Sequence, residues 1–373
     1  MSTIITDEYE YAPPPLTIGN VTVPVPIIQG GMGVGISMAG LASAVARAGG
    51  IGVIASVLIG LNETDFHKDP QGATFRALKK QIRLAKEAAP NGIIGVNIMV
   101  ALTDYEEAVR IAAEAGADLI ISGAGLPLGL PGLIPEGCNT KVVPIVSSGR
   151  AASIICHRWD LHFSHLPDAI VVEGPKAGGH LGFKAEDIDS PENYIENLTS
   201  QVIEAVKPFE QKSGQAIPVI AAGGIYTGED IYKFIRMGAA GVQMGTRFVA
   251  THECDASDKF KQAYIRAKEE DVSIINSPVG MPGRALRCKF IEEAKAGKKR
   301  PRRCIYKCLK SCNYPDTPYC IAMALVNAQR GIFRSSFVFC GSNVWRINKI
   351  VSVRELMDEL VHGYMKTAIE TAM

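Results

Sequence analysis

The chain lacks a charge excess of either sign. Its 39 lysines and arginines meet 38 aspartates and glutamates, leaving a formal net charge of +1. A general nucleic-acid binder carries a broad basic excess, so that class is excluded and no nucleic-acid partner is expected. Long hydrophobic runs are missing too. Nothing approaches the roughly 18 uninterrupted apolar residues of a membrane span, so no membrane association is expected. The opening residues, MSTIITDEYEYAPPP, have neither a basic start nor an apolar core, and no secretory leader is expected. A disulfide framework is also absent. The nine cysteines are odd in number and scattered through a large chain, which suits reduced thiols in a cytoplasmic setting.

What is present is a rhythm. Hydrophobic residues make up 47% of 373 residues and charged ones 21%, enough for a large core. Short apolar runs recur at 26–31, 52–56, 92–100, 118–125, 142–148, 169–174, 218–224 and 241–248. Most are rich in Val and Ile without polar alternation, as expected of strands buried on both faces of a parallel sheet. Helical stretches separate most of them. Ser37 is placed to cap a helix ending at Arg47, with Gly49 just beyond. Thr103 to Ala115 has helical spacing and stops at Gly116. Thr227 is placed to cap a helix starting at Gly228, with Asp230 in its first turn. Eight β–α units in about 230 residues predict an α/β fold, a closed (β/α)8 TIM-type barrel with a smaller inserted cap segment. A doubly wound open sheet is the alternative. The expected organisation is a barrel over 16–250, a cap or lid over 251–320, and a C-terminal segment, 321–373, packing back on the barrel.

Barrel active sites lie at the C-terminal ends of the strands, and the unusual residues fall there. Gly223, Gly224, Gly245 and Thr246 end the seventh and eighth runs. They suit either a phosphate cradle or merely tight barrel turns. GGMGVG (30–35) misses the dinucleotide spacing, because position 36 after Gly31 and Gly33 is Ile, and no acidic residue follows at the expected distance. Those glycines better suit a flat ring lying against the backbone. His180, in AGGHLGF just beyond the sixth run, is either a general acid or base or a solvent-facing loop histidine.

Other groups are less specific. Around His157, His162 and His165 no nearby set of carboxylates or cysteines completes a convincing coordination shell, so a solvated helix–loop face is expected there instead of a metal site. Cys304, Cys308, Cys312 and Cys320 have a spacing that matches neither a zinc knuckle nor a common ferredoxin run. Buried or redox-labile thiols and a metal site both remain open for them. The basic run Lys298, Lys299, Arg300, Arg302, Arg303 is either a solvated loop or a docking patch for an acidic partner or a nucleotide phosphate.

In combination the segments PIIQGGMG, GVNIMV, VVEGPKAGGHLGF and PVIAAGG…GVQMGTRF, in that order, resemble the nitronate monooxygenase (formerly 2-nitropropane dioxygenase) family. Its superfamily includes flavin-type enoyl-acyl-carrier-protein reductases and NAD(P)H:quinone reductases. The resemblance implies FMN bound by Gly31, Met32, Asn97, Lys141, Gly178, Gly179, Gly223, Gly224, Gly245 and Thr246. It also implies His180 as the catalytic residue and Gly341 near the flavin ring. Two departures stand out: Ser342 follows Gly341 where many relatives have Gln, and Pro175-Lys176 replaces a frequent acidic residue.

Two activities follow from the resemblance. One is oxidation of alkyl nitronates with dioxygen to a carbonyl compound and nitrite. The other is reduction of an enoyl thioester or quinone, with NAD(P)H as electron donor and acyl carrier protein as a partner. SPVGMPGRALRCKF (277–290) resembles the reductase branch. A non-enzymatic barrel that binds a phosphorylated ligand is the contrasting class. A small-molecule substrate and a homodimer are expected.

Overall fold

The structure, a computed structural model, describes residues 11–373. The reading of a leaderless N-terminus therefore falls largely outside the described residues. A hairpin of β1 (Leu16–Ile18) and β2 (Val21–Val23) comes first. The barrel strands are β3 (Ile27–Gln29), β4 (Ile51–Ala55), β5 (Ile93–Met99), β6 (Leu119–Gly123), β7 (Lys141–Val146) and β8 (Ile170–Glu173). After the two-residue β9 (Gly179–His180) come β10 (Val219–Ala222) and β11 (Gly241–Met244). All eight apolar runs are strands of one closed, wholly parallel barrel, which β11 closes onto β3.

The continuous apolar runs follow from burial on both faces. In β4, Ile51 and Val53 point into the barrel, while Ile54 points out to the helices. The same alternation puts Val143 inside and Val142 outside. Leu16, Ile18 and Val23 of the first hairpin join the interior cluster with Val171 and Ile220. The barrel is thus a packed core, with its free end at the strands' C-termini.

The helices of the outer layer are α1 (Ala39–Arg47), α2 (Pro70–Ala88), α3 (Tyr105–Glu114), α4 (Gly149–Phe163), α5 (Ile195–Ser213) and α6 (Gly228–Arg236). Thr227 caps α6 in a reciprocal capping box with Asp230, as its spacing predicts. Ser37 does not cap α1. Its Oγ accepts the Met32 N–H at 2.8 Å, and the Asp255 carboxylate takes the N–H groups of Met38 and Leu41 at 2.8 and 3.1 Å.

Beyond the barrel lie the one-turn α7 (Thr246–Val249), α8 (Asp258–Arg266), β12 (Val272–Asn276), β13 (Pro282–Leu286), α9 (Lys289–Lys295) and α10 (Ile321–Gln329). The polar stretch after the eighth barrel strand is therefore more ordered than its composition suggests. Strand β13 pairs with both β12 and β9, which ties a hairpin across the loop that follows β8. The last helix, α11 (Val353–Ala372), packs on α6 and α1 and completes the outer ring.

Candidate active site

Strand alternation turns Asn97, Glu173 and Gln243 toward the barrel axis at the C-terminal end. Around this mouth the loops close in. Gly31 lies so near Asn97 that a Cβ there would stand 2.2 Å from the Asn97 Cβ. The Met32 sulfur reaches the Gly245 loop, and the Asn97 amide donates to the Ile121 carbonyl at 3.2 Å.

The loop holding Gly341 stitches three strand ends together. The Gly341 N–H donates to Thr246 Oγ1 at 3.0 Å, the Ser342 N–H to the Lys176 carbonyl at 3.1 Å, and the Asn343 side-chain amide to the Gly224 carbonyl at 2.7 Å. Gly178 packs on that loop, where a Cβ would stand 2.7 Å from the Cys340 carbonyl carbon. Gly223 and Gly224 have φ of +94° and +95°, which only glycine adopts without strain. Their turns lie against Gly174 and Lys176, so the loops after β8 and β10 are in contact.

His180 is held from three sides. Its Nε2 is 2.7 Å from Ser277 Oγ, and its ring meets the Phe339 ring edge-on at 5.0 Å. Its backbone pairs with Gly283 of β13. Burial lowers its pKa from 6.5 to about 4, so the imidazole is neutral near pH 7. It is therefore no freely solvated loop histidine, and as an imidazolium acid it is poorly suited to neutral pH. Glu173 behaves oppositely. Its surface is only partly open to the mouth, and burial raises its carboxyl pKa to about 7. Two buried polar atoms, Gln243 Oε1 and Ser342 Oγ, have no hydrogen-bond partner among the described residues.

Gly31, Met32, Asn97, Gly178, Gly179, Gly223, Gly224, Gly245, Thr246, Gly341 and His180 all lie at or beyond the strands' C-terminal ends. Lys141 does not, and its expected role at this face is corrected. It opens β7, donates its N–H to the Asp118 carbonyl, and its side chain lies against Gly19 of the first hairpin, at the opposite end of the barrel. There it borders a cavity of about 480 Å³ with His165 and Asp168, remote from His180. His157 and His162 lie on α4 and His165 just beyond it. Ser277, Phe339, Asn343, Gln243 and Glu173 were not marked by the sequence reading. Only Glu173 carried a signal, as a carboxylate ending an apolar strand.

A closed parallel barrel with glycine-rich loops, a buried neutral histidine and a perturbed carboxyl at its catalytic face defines a barrel enzyme. The family model described as nitronate monooxygenase matches residues 15–363, and the chain belongs to that family of oxidoreductases. It is 30% identical over 272 residues to a (3aS,4S,5R,7aS)-5-hydroxy-7a-methyl-1-oxo-octahydro-1H-indene-4-carboxyl-CoA dehydrogenase of Mycobacterium tuberculosis; the match covers 73% of this chain and 66% of that protein, just under two thirds. It is 37% identical over 131 residues to a probable nitronate monooxygenase of Staphylococcus aureus, covering 34% of this chain and 33% of that one. Among solved structures it is similar to FabK from Thermotoga maritima, with 25% identity, TM-score 0.70, and coverage of 100% of this chain and 98% of that one. A nitroalkane oxidase from Streptomyces ansochromogenes shares the fold, with 21% identity, TM-score 0.71, and coverage of 94% and 98%. No helix among the described residues is long and apolar enough to cross a membrane.

Proposed function

We propose that this oxidoreductase uses FMN and oxidises alkyl nitronates with dioxygen to carbonyl compounds and nitrite. The observation that carries the reading is the neutral His180 clamped between Ser277 and Phe339 over the glycine loops. The residues present fit FMN. The orphaned Gln243 Oε1 and Ser342 Oγ call for a polar ligand, and the glycine loops leave backbone close to the mouth. Gly223, Gly224, Gly245 and Thr246 would hold the phosphate, and Gly31, Met32, Asn97, Gly178, Gly179 and Gly341 the rest of the group. Thr246 Oγ1 already accepts the Gly341 N–H, so its own proton is free to be donated to an anion. When bound, FMN supplies the electron acceptor for substrate oxidation.

The chain's own groups do the positioning. Ser277 Oγ accepts the Val279 N–H at 3.4 Å and can donate to His180 Nε2, which leaves Nδ1–H to hydrogen-bond a nitronate oxygen. A neutral donor binds this anion without giving it a proton. Glu173, with its pKa near neutrality, is suited to hold a proton at the mouth. The β12–β13 hairpin, paired to His180 through β9, acts as the lid that keeps water from the histidine. Addition of a nitronate in air is the test. Nitrite release that falls at least about tenfold in His180→Asn supports the reading; unchanged release in that variant contradicts it.

A second reading, reduction of a thioester by NAD(P)H, is favoured by one feature. A cavity of about 350 Å³ has Phe290, Tyr319 and Met323 in its lining and Lys299, Arg300, Arg302 and Arg303 around them. Ring contacts run from Phe290 through Phe337 and Phe339 to His180. A phosphate-bearing carrier, such as acyl carrier protein or a coenzyme A thioester, matches that mixture of apolar and basic groups.

A further inference from the structure

The cap that follows the barrel has a small core and a cavity of its own. Phe290, Ile291, Ala294, Tyr319, Ala324 and Phe337 belong to that core. Beside it, the recess of about 350 Å³ is lined by residues within 290–335, so no barrel strand takes part. Phe290 and Tyr319 share its lining, with their rings 5.2 Å apart and edge-on. Met323, Ala324 and Asn327 add a face of α10. The basic rim has a local cause. Helix α9 ends at Gly297, whose φ is +72°. The Gly297 N–H donates to the Ala294 carbonyl and the Lys298 N–H to the Glu293 carbonyl, the two bonds of a Schellman turn. That turn brings Lys299, Arg300, Arg302 and Arg303 back to the recess.

Packing explains neither the floor nor the rim. Tyr319 is 5% exposed, yet its hydroxyl has no hydrogen-bond partner among the described residues. A buried hydroxyl left unpaired is costly unless a bound molecule completes it. Asn327 donates its side-chain amide to Ser335 Oγ at 3.1 Å, which leaves its carbonyl oxygen to accept from a ligand. On the rim, Lys299 is engaged: it lies 3.0 Å from a Glu293 carboxylate oxygen and over the Phe290 ring. Arg300, Arg302 and Arg303 are exposed and make no ion pair among the described residues. Guanidiniums this close together repel one another, and their forks match phosphate oxygens.

We infer that the recess binds an adenine nucleotide with a phosphorylated ribose, its base among Phe290, Tyr319 and Met323 and its phosphates on Arg300, Arg302 and Arg303. A hydroxyl donor and a carbonyl acceptor suit the edge of adenine, which offers a ring nitrogen and an amine. A recess of this volume takes a small molecule and not a protein surface. Two carriers share the chemistry: a coenzyme A thioester, phosphorylated on the ribose 3′ oxygen, and NADPH, phosphorylated on the 2′ oxygen. The rings of Phe290, Phe337, Phe339 and His180 follow one another at 6.4, 4.9 and 5.0 Å, so the recess lies a few ring widths from His180. The reactive end of either carrier spans that gap. The inference deepens the thioester reading and rests on it, since a nitronate needs no nucleotide.

The test is calorimetric titration of the full chain, kept in excess FMN so that the barrel mouth is filled. The probes are adenosine 3′,5′-bisphosphate, adenosine 2′,5′-bisphosphate, adenosine alone and inorganic pyrophosphate. At least one bisphosphate should bind at least about tenfold more tightly than adenosine or pyrophosphate. Replacing all three rim arginines, Arg300→Ser, Arg302→Ser and Arg303→Ser together, should weaken it at least about tenfold, and Tyr319→Phe about threefold. The arginines are exposed and the Tyr319 hydroxyl is unpaired, so both variants keep the fold, and thermal unfolding checks this. Preference for the 3′ compound assigns the site to coenzyme A, and preference for the 2′ compound assigns it to NADPH; either supports the site. No binding, adenosine or pyrophosphate binding as tightly as the bisphosphates, or affinity unchanged in the triple variant would each overturn it. Flavin bleaching by NADPH reads the thioester reaction separately: bleaching with no bisphosphate bound would overturn the recess alone.

Discussion

His180 Nε2 and Ser277 Oγ lie 2.7 Å apart, and this one contact joins the loop after barrel strand β8 to a hairpin nearly a hundred residues further along the chain. Removing the hydroxyl frees the imidazole to rotate and exchange tautomers without deleting it. Ser277→Ala should lower kcat/KM about tenfold, the worth of one lost hydrogen bond at the upper end of its range. Steady-state kinetics with the nitronate measures it. Restoration by Ser277→Thr would separate loss of the hydroxyl from general damage to the hairpin.

His180 and Glu173 oppose each other in the pH dependence of stability. His180 has a folded pKa of about 4 against 6.5 unfolded, so the unfolded chain binds the extra proton and stability falls as pH drops from about 6.5 to about 4. Glu173 has a folded pKa of about 7 against 4.5, so its contribution is full below about 4.5 and is lost as pH rises to about 7. Over that shared window Glu173→Gln should become more stable with rising pH relative to wild type, and His180→Asn less. Urea unfolding at pH 5 and pH 7 reads both slopes. Parallel slopes in all three proteins would contradict the two burial assignments.

Gly178 packs directly on backbone: a Cβ there would stand 2.7 Å from both the Cys340 carbonyl carbon and the Gly341 nitrogen. Backbone cannot swing aside as a flexible side chain does. Gly178→Ala should destabilise by about 1–3 kcal/mol and lower retained flavin. Thermal unfolding and flavin content of the purified variant check this.

Asn343 ties the Gly341 loop to the Gly224 turn through a 2.7 Å hydrogen bond. Asn343→Ala should cost about 1 kcal/mol of stability and weaken FMN more than it changes the fold. Fluorescence titration of the flavin-free protein with FMN measures the weakening.

Much of this architecture was legible because barrel strands are buried on both faces, which forces unbroken apolar runs such as GVIAS and AIVVEG. The positions of Gly223, Gly224 and Thr246 followed, since they directly end such runs. What failed depended on distance along the chain. Ser37 has a capping residue's chemistry, yet Asp255, over two hundred residues away, supplies the carboxylate at α1. Lys141 begins its strand instead of ending it, so the strand's direction sends it to the wrong end of the barrel. Ser277, Phe339 and Asn343 reach the mouth only through the hairpin and the Gly341 loop, and no local pattern reports such pairings.

The central claim is tested most directly by mixing the purified, FMN-reconstituted protein anaerobically with a nitronate and, separately, with NADPH and NADH, while following flavin absorbance. The account predicts bleaching by the nitronate and nitrite once air is admitted. Bleaching by NAD(P)H alone would contradict the nitronate reading in favour of the thioester one, and failure to take up FMN at all would contradict both.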